Sequence, residues 1–288
     1  MDFLQPQSWS EALAAKAEHP AAVAIAGGTD VMVEINFDRS RPETLIDLGK
    51  IRDLEMWGRD DGMVRIGAGV SYTRIIEELS WAQPGLAIAS RTVGSPQIRN
   101  RGTVGGNLGS ASPAGDAHPP LLATGALVEA ESVRGIRTIP IDEFFTGVKA
   151  NALDPDELIS AFLVRPASGP QQFSKVGTRN AMVIAVVSFA LELDPESRRV
   201  GTGVGSAAPT PRRALEAERF LEGELEAASL WDSPRQLDEA VVSRFAELVA
   251  GAASPIDDVR GTAGYRRHAL GVLARRTLSW AWADYERI

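Results

Sequence analysis

Gly94-Ser95-Pro96-Gln97-Ile98-Arg99-Asn100-Arg101-Gly102-Thr103-Val104-Gly105-Gly106-Asn107-Leu108-Gly109-Ser110-Ala111-Ser112-Pro113-Ala114-Gly115 is the stretch on which the reading of this chain turns. Six of the chain's 27 glycines fall within it (Gly94, Gly102, Gly105, Gly106, Gly109 and Gly115), and neither a helical nor a strand period runs through it. A long connection of this kind inside a compact domain is usually functional, so the expectation is a working loop without regular structure. Its centre, Thr103-Val104-Gly105-Gly106-Asn107, has a counterpart upstream in Ala26-Gly27-Gly28-Thr29-Asp30, directly after an apolar run. Adjacent glycines permit positive φ and leave no Cβ between backbone and ligand. Successive N–H groups in such turns converge on an anion, and a threonine hydroxyl adds a donor. The two segments fit a diphosphate held mainly by backbone dipoles. They fit two tight turns equally well, because glycine is the default turn residue.

Around these segments the patterning alternates between strand and helix. Ser8 and Glu11 form a capping box for a helix over Trp9–Glu18. Strands are expected at Ala21–Ala26, Thr44–Leu48 and Met63–Gly69, then short helices after Ser71 and over Leu86–Val93, the latter stopped by Gly94 and Pro96. Beyond the long stretch, strands are expected at Ala126–Glu131, Arg137–Pro140, Leu158–Arg165, Met182–Leu193 and Val200–Gly205. After Pro211 the pattern turns helical over Arg212–Glu222, Gln236–Ala250 and Tyr265–Tyr285. Ala167-Ser168-Gly169-Pro170 is the expected boundary between two α+β units, residues 1–167 and 171–288, the first with two lobes divided near 53–60.

Composition removes several classes of function. Lys+Arg 30 against Asp+Glu 38 leaves a net charge of −8, which argues against nucleic acid or an anionic membrane as the main partner. With no cysteine, the chain holds no disulfide, thiolate nucleophile or cysteine-bound iron–sulfur cluster. The longest apolar stretch, Met182 to Leu191, is far short of a membrane span, and the start of the chain lacks a secretory pattern, so the expected location is the cytoplasm. Gly203-Val204-Gly205-Ser206-Ala207-Ala208 spells a dinucleotide fingerprint, but Pro209 and Pro211 obstruct the helix that must follow. His19, His118 and His268 show no metal-ligand spacing, and His118, before Pro119, reads as a surface histidine. Arg266, Arg267, Arg275 and Arg276 read as a solvated or interfacial helix face.

The segment Gly94 to Asn107, continued by Ala111-Ser112-Pro113-Ala114-Gly115-Asp116, resembles the long flavin loop of the molybdenum hydroxylases. Ile25 to Val31 resembles the other pyrophosphate loop of the same family, the FAD-binding medium subunits of xanthine dehydrogenase and carbon monoxide dehydrogenase type. Gly205 to Pro211 and Asp258 to Arg267 are similar to that family's C-terminal domain, so the resemblance spans essentially the whole chain. It implies a two-part FAD-binding domain of the vanillyl-alcohol-oxidase (PCMH) type followed by a smaller sheet-and-helix domain. By similarity Ala24, Ile25, Ala26, Gly27, Gly28, Thr29, Asp30 and Val31, with Thr103, Val104, Gly105, Gly106 and Asn107, meet the pyrophosphate and adjoining parts of FAD. Ser112 belongs to the same loop, and Asp116 would bond ribose or ribityl hydroxyls. Leu158 and Lys175 match positions that line the flavin site, and Ile184 would lie against the isoalloxazine. Val93 stands where xanthine-oxidising relatives carry Phe.

The resemblance also implies a division of labour. A large subunit hydroxylates substrate at a molybdopterin centre, a small subunit holds two two-iron two-sulfur clusters, and the medium subunit passes electrons through FAD to an external acceptor. Absence of cysteine here places the clusters on a partner and argues against the 4-hydroxybenzoyl-CoA reductase branch. A dimer of heterotrimers is the expected assembly, and a flavin-free scaffold subunit is the alternative role. Lys149, Lys175 and Arg179 are the cations expected near the flavin mouth.

Overall fold

The computed structural model describes residues 1–287. The first lobe is a parallel sheet in the order β1-β3-β2, built from β1 (Asp2–Leu4), β2 (Val23–Ile25) and β3 (Thr44–Asp47). Helix α1 (Trp9–Glu18) makes the crossover from β1 to β2 and a short α2 (Val31–Asn36) follows β2. Ser8 caps α1 by accepting from the Glu11 N–H at 3.2 Å, while the Glu11 carboxylate accepts from the Gln7 N–H at 2.8 Å. The capping box is therefore reciprocal, with its return bond displaced by one residue.

The second lobe is an antiparallel sheet in the order β4-β5-β10-β6-β7. Its strands are β4 (Trp57–Asp60), β5 (Met63–Gly67), β6 (Leu127–Ser132), β7 (Gly135–Pro140) and β10 (Leu158–Val164), with a small hairpin of β8 (Phe145–Gly147) and β9 (Ala150–Asn151). Six helices belong to this part: α3 (Tyr72–Glu78), α4 (Pro84–Arg91), α5 (Pro96–Arg101), α6 (Val104–Ser110), α7 (His118–Ala123) and α8 (Ile141–Phe144). Val64, Ile66, Val128 and Phe162 from the sheet meet Ile75, Leu86, Val104 and Leu108 from the helices in one buried core.

The last unit is an antiparallel meander, β11 (Gln171–Val176), β12 (Val187–Asp194) and β13 (Arg199–Gly205). It is covered by α9 (Leu215–Ala227), α10 (Glu239–Gly251) and α11 (Ala263–Tyr285). Phe189, Leu191, Leu221, Phe245, Leu270, Leu278 and Trp282 form its own core. Helix α7 lies across β12 and β13, so the two units share a seam.

Two sequence expectations fail here. The stretch 94–115 is not a structureless loop, because α5 and α6 occupy most of it. Ser95 caps α5 with Pro96 at its first position, and the Thr103 hydroxyl caps α6 by accepting from the Gly106 N–H at 2.9 Å. Glycine density hid two helices whose caps were legible. The apolar run from Met182 also does not begin a strand. Residues 182–186 are irregular, Met182 has φ +50°, and β12 starts only at Val187.

Candidate functional site

A cavity of about 1030 Å³ lies where the two lobes of residues 1–166 meet and reaches the irregular segment 182–184. It is at the upper end of the ~300–1,000 Å³ typical of small-molecule sites, large enough for a dinucleotide. The turn from β2 to α2 supplies Ala26 to Val31, and the α5–α6 junction supplies Gly102, Thr103, Gly105, Gly106 and Asn107. Ala24, Val93, Ser112, Asp116, Leu158 and Ile184 complete the sequence-predicted residues on its wall. Three others point elsewhere. Ile25 and Val104 are buried in the protein interior, and Lys175 stands behind Asp116 rather than on the wall.

The two glycine pairs share a division of roles that differs from two positive-φ turns. Gly28 has φ +72°, the left-handed conformation expected of it. A Cβ on Gly27 would come within 1.9 Å of the Arg101 carbonyl oxygen, so Gly27 is needed where the two segments touch. Gly105 and Gly106 sit in the first turn of α6 with ordinary helical backbone. A Cβ on Gly105 would meet Ala68 at 2.5 Å, whereas one on Gly106 would meet only the Thr103 hydroxyl at 3.1 Å. In each pair one glycine admits backbone and the other leaves the cavity wall free of a side chain.

Asp116 is the most constrained polar group on the wall. Its Oδ2 accepts from Lys175 Nζ at 2.6 Å, and that ammonium spends its remaining donors on the carbonyls of Thr92 (3.1 Å) and Val183 (3.2 Å). Burial pushes the Asp116 carboxyl up to about 6 even though the Lys175 ammonium pulls it down. Its second oxygen, Oδ1, is buried with no partner among the described residues. A buried acceptor left open on a cavity wall suits a ligand hydroxyl. The lining thus fits a dinucleotide: glycine-walled backbone at one place, an open acceptor at another.

His118 corrects the surface reading. It is fully buried at the start of α7, its Nε2 lies 3.0 Å from the Asn107 carbonyl, and its ring stacks at a tilt on Phe145 at 4.5 Å. Burial lowers its pKa to about 4, so the ring is neutral at physiological pH and braces the end of α6. Arg266 is likewise no surface residue. It donates to the carbonyls of Val186 (2.7 Å) and Ser206 (2.8 Å) and pairs with Asp258 at 2.5 Å. Lys149 lines the cavity mouth but is paired with Glu34 at 2.7 Å, and Arg179 turns back onto the Met182 carbonyl. Tyr72 and Arg101 were not singled out in the sequence and also line the cavity. The Tyr72 N–H donates to the Gly102 carbonyl at 3.0 Å, so α3 steadies the α5–α6 junction.

A glycine-walled, dinucleotide-sized cavity between two α+β lobes defines a nucleotide-cofactor-binding protein. Residues 1–166 match the FAD binding domain in molybdopterin dehydrogenase, and residues 172–281 match the CO dehydrogenase flavoprotein C-terminal domain. The chain belongs to this family, the FAD-binding subunits of molybdenum hydroxylase complexes. It is 33% identical to the nicotine 6-hydroxylase medium subunit of Paenarthrobacter nicotinovorans over 90% of this chain and 89% of that one. It is 28% identical to the xanthine dehydrogenase FAD-binding subunit of Escherichia coli O157:H7 over 95% of this chain and 93% of that one. Among solved structures, it superposes on a chain of carbon monoxide dehydrogenase from Hydrogenophaga pseudoflava with a TM-score of 0.86 at 27% identity, covering 99% of this chain and 98% of that one. No described helix is long and apolar enough to cross a membrane.

Proposed function

We propose that the cavity holds one FAD noncovalently and that the chain relays electrons from a cysteine-rich iron–sulfur subunit to an external acceptor. The observation that carries this reading is the convergence of both glycine segments and the open Asp116 oxygen on one dinucleotide-sized cavity. Bound FAD supplies exchange of electrons one at a time with a cluster and two at a time with an acceptor. The chain supplies binding and orientation. Ala26–Val31 and Thr103–Asn107 form the diphosphate wall, Asp116 accepts a ribose or ribityl hydroxyl, Leu158 lines the site from the start of β10, and Val93 and Ile184 border the flavin ring. Lys175 works from behind, holding Asp116 in place and favouring its charged form.

Residues 1–167 are the FAD-binding domain of PCMH type, with lobes divided near 53–60, and 171–288 are its C-terminal companion. The partners are the iron–sulfur small subunit and a molybdopterin large subunit, in a dimer of heterotrimers in the cytoplasm. Substrate is oxidised on the large subunit, and the acceptor side runs as a dehydrogenase rather than an oxidase. The test is purification of the native complex alongside the isolated chain. The complex should contain a cysteine-rich chain and a much larger one, its flavin should be reduced by substrate, and the isolated chain should oxidise none. Substrate oxidation by the isolated chain would overturn the division of labour. Wild-type protein that takes up no flavin from excess FAD would point to a scaffold subunit instead. Reoxidation far faster by oxygen than by NAD or a quinone would overturn the dehydrogenase reading.

A further inference from the structure

We propose that Arg101 is the countercharge for the diphosphate, a positioning residue that adds an ionic bond to a site otherwise built from backbone; this rests on the flavin reading above. Four cations line the cavity among the described residues: Lys16, Arg74, Arg101 and Lys149. Three are already spent. Lys16 donates to the carbonyls of Pro20 (2.9 Å) and Ala22 (2.7 Å), Arg74 pairs with Glu78 at 2.7 Å, and Lys149 pairs with Glu34 at 2.7 Å. The Arg101 guanidinium has no hydrogen bond or ion pair among the described residues.

Its backbone, by contrast, is held firmly between the two glycine segments. The Arg101 carbonyl packs where Gly27 would carry a Cβ, at 1.9 Å. The next residue, Gly102, donates to the Ile98 carbonyl at 2.6 Å and accepts from the Tyr72 N–H at 3.0 Å. A Cβ on Gly102 would stand 3.3 Å from the Thr29 hydroxyl. The stem therefore starts from a fixed point beside Gly27–Thr29, and Nη2 reaches 3.8 Å from where a Gly49 Cβ would stand. Asp47 Oδ1 lies 3.0 Å from that same position and accepts from the Gly49 N–H at 2.9 Å, while its Oδ2 accepts from Gln5 at 3.3 Å, and no ion pair joins this carboxylate to Arg101. A fork of five donors on a fixed base, unspent and at the edge of a backbone-lined anion site, suits a phosphate oxygen pair.

The experiment titrates apo wild type, Arg101→Met and Arg101→Lys (full chain) with FAD by flavin fluorescence, across a range of salt. Riboflavin, which has no phosphate, is the control probe. Arg101 contributes no internal bond, so the melting temperatures of the three apo proteins should coincide. Arg101→Met should bind FAD about tenfold or more weakly at low salt, and its affinity should fall less on adding salt than that of the wild type, because one screened ionic contact is gone. Arg101→Lys should recover part of the affinity, and riboflavin should bind all three alike. Equal FAD affinity and equal salt dependence in wild type and Arg101→Met would overturn the inference while leaving the flavin reading intact. Failure of the wild type itself to bind FAD would overturn the flavin reading.

Discussion

Glycine clusters occur twice in this molecule, on the cavity wall and along β13, and they answer different needs. On β13 the alternate residues Gly201, Gly203 and Gly205 all face α7. A Cβ on Gly201 would meet the Ala123 carbonyl at 1.9 Å, one on Gly203 the Pro119 carbonyl at 2.0 Å, and one on Gly205 the Ser188 hydroxyl at 2.4 Å. Here glycine lets a helix of the first unit lie directly on a strand of the second. On the cavity wall Gly27 and Gly105 do similar packing work, but a Cβ on Gly28 would meet only the Met32 and Ile25 side chains, at 3.4 Å or more, and one on Gly106 only the Thr103 hydroxyl at 3.1 Å, with no backbone in the way. The same spelling thus marks a seam in one place and a ligand surface in the other. What separates them is whether anything in the chain occupies the missing side chain's volume.

That contrast predicts opposite phenotypes. Gly203→Ala should give the largest loss of stability, about 3 kcal/mol or more, because helix and strand backbones must separate. Gly106→Ala should leave the apo protein's unfolding free energy nearly unchanged, and urea unfolding of both variants would blur the comparison if their losses were equal. Next in size is Arg266→Met, within the second unit. It leaves the buried carbonyls of Val186 and Ser206 without a donor, while Asp258 keeps its pair with Arg260 at 3.1 Å, and should cost roughly 3 kcal/mol by urea unfolding.

His118 sharpens the comparison through pH. Its pKa is about 4 when folded and ordinarily 6.5, so as pH falls the unfolded chain takes up the proton first. The stability that the neutral ring supports is present above pH 6.5 and is lost as pH falls toward 4, by up to about 3 kcal/mol. Asp116, raised to about 6, acts in the reverse sense, since the folded state takes its proton first as pH falls and stability from this group declines as pH rises from about 4 to 6. The stability gap between wild type and His118→Gln should therefore shrink between pH 7 and pH 5. A gap independent of pH would contradict the buried neutral ring. The smallest effect belongs to Lys149→Met, whose exposed pair with Glu34 should leave the melting temperature unchanged.

Much of the fold was legible where local chemistry decided it. The Ser8 and Ser71 caps marked α1 and α3, and alternation in Met63–Gly67 marked β5. The misses have tertiary causes. Helices α5 and α6 are only 6 and 7 residues long, and α6 is anchored by burying Val104 and Leu108 rather than by propensity. Strand β11, Gln-Gln-Phe-Ser-Lys-Val, shows no apolar alternation because its buried polar groups find partners elsewhere, Gln171 on Glu192 at 2.7 Å and Ser174 on Thr277 at 2.7 Å. The fingerprint spelling at Gly203 belongs to a strand end packed under α7, with no helix entering a phosphate site. At the cavity the motif identified the correct segments, but side-chain direction turned Ile25 and Val104 inward, and only the third dimension placed Tyr72 and Arg101 on the wall.

The central claim, that FAD lies in this cavity against Gly106, is tested most directly by flavin content. Wild type and Gly106→Val are purified in parallel, incubated with excess FAD, passed through gel filtration, and compared by visible absorbance and by the melting temperature of the apo forms. The account predicts one FAD per wild-type chain, and little or none in Gly106→Val despite a folded apo protein, because the new side chain projects into the cavity. A Gly106→Val protein that keeps the full yellow absorbance would contradict it.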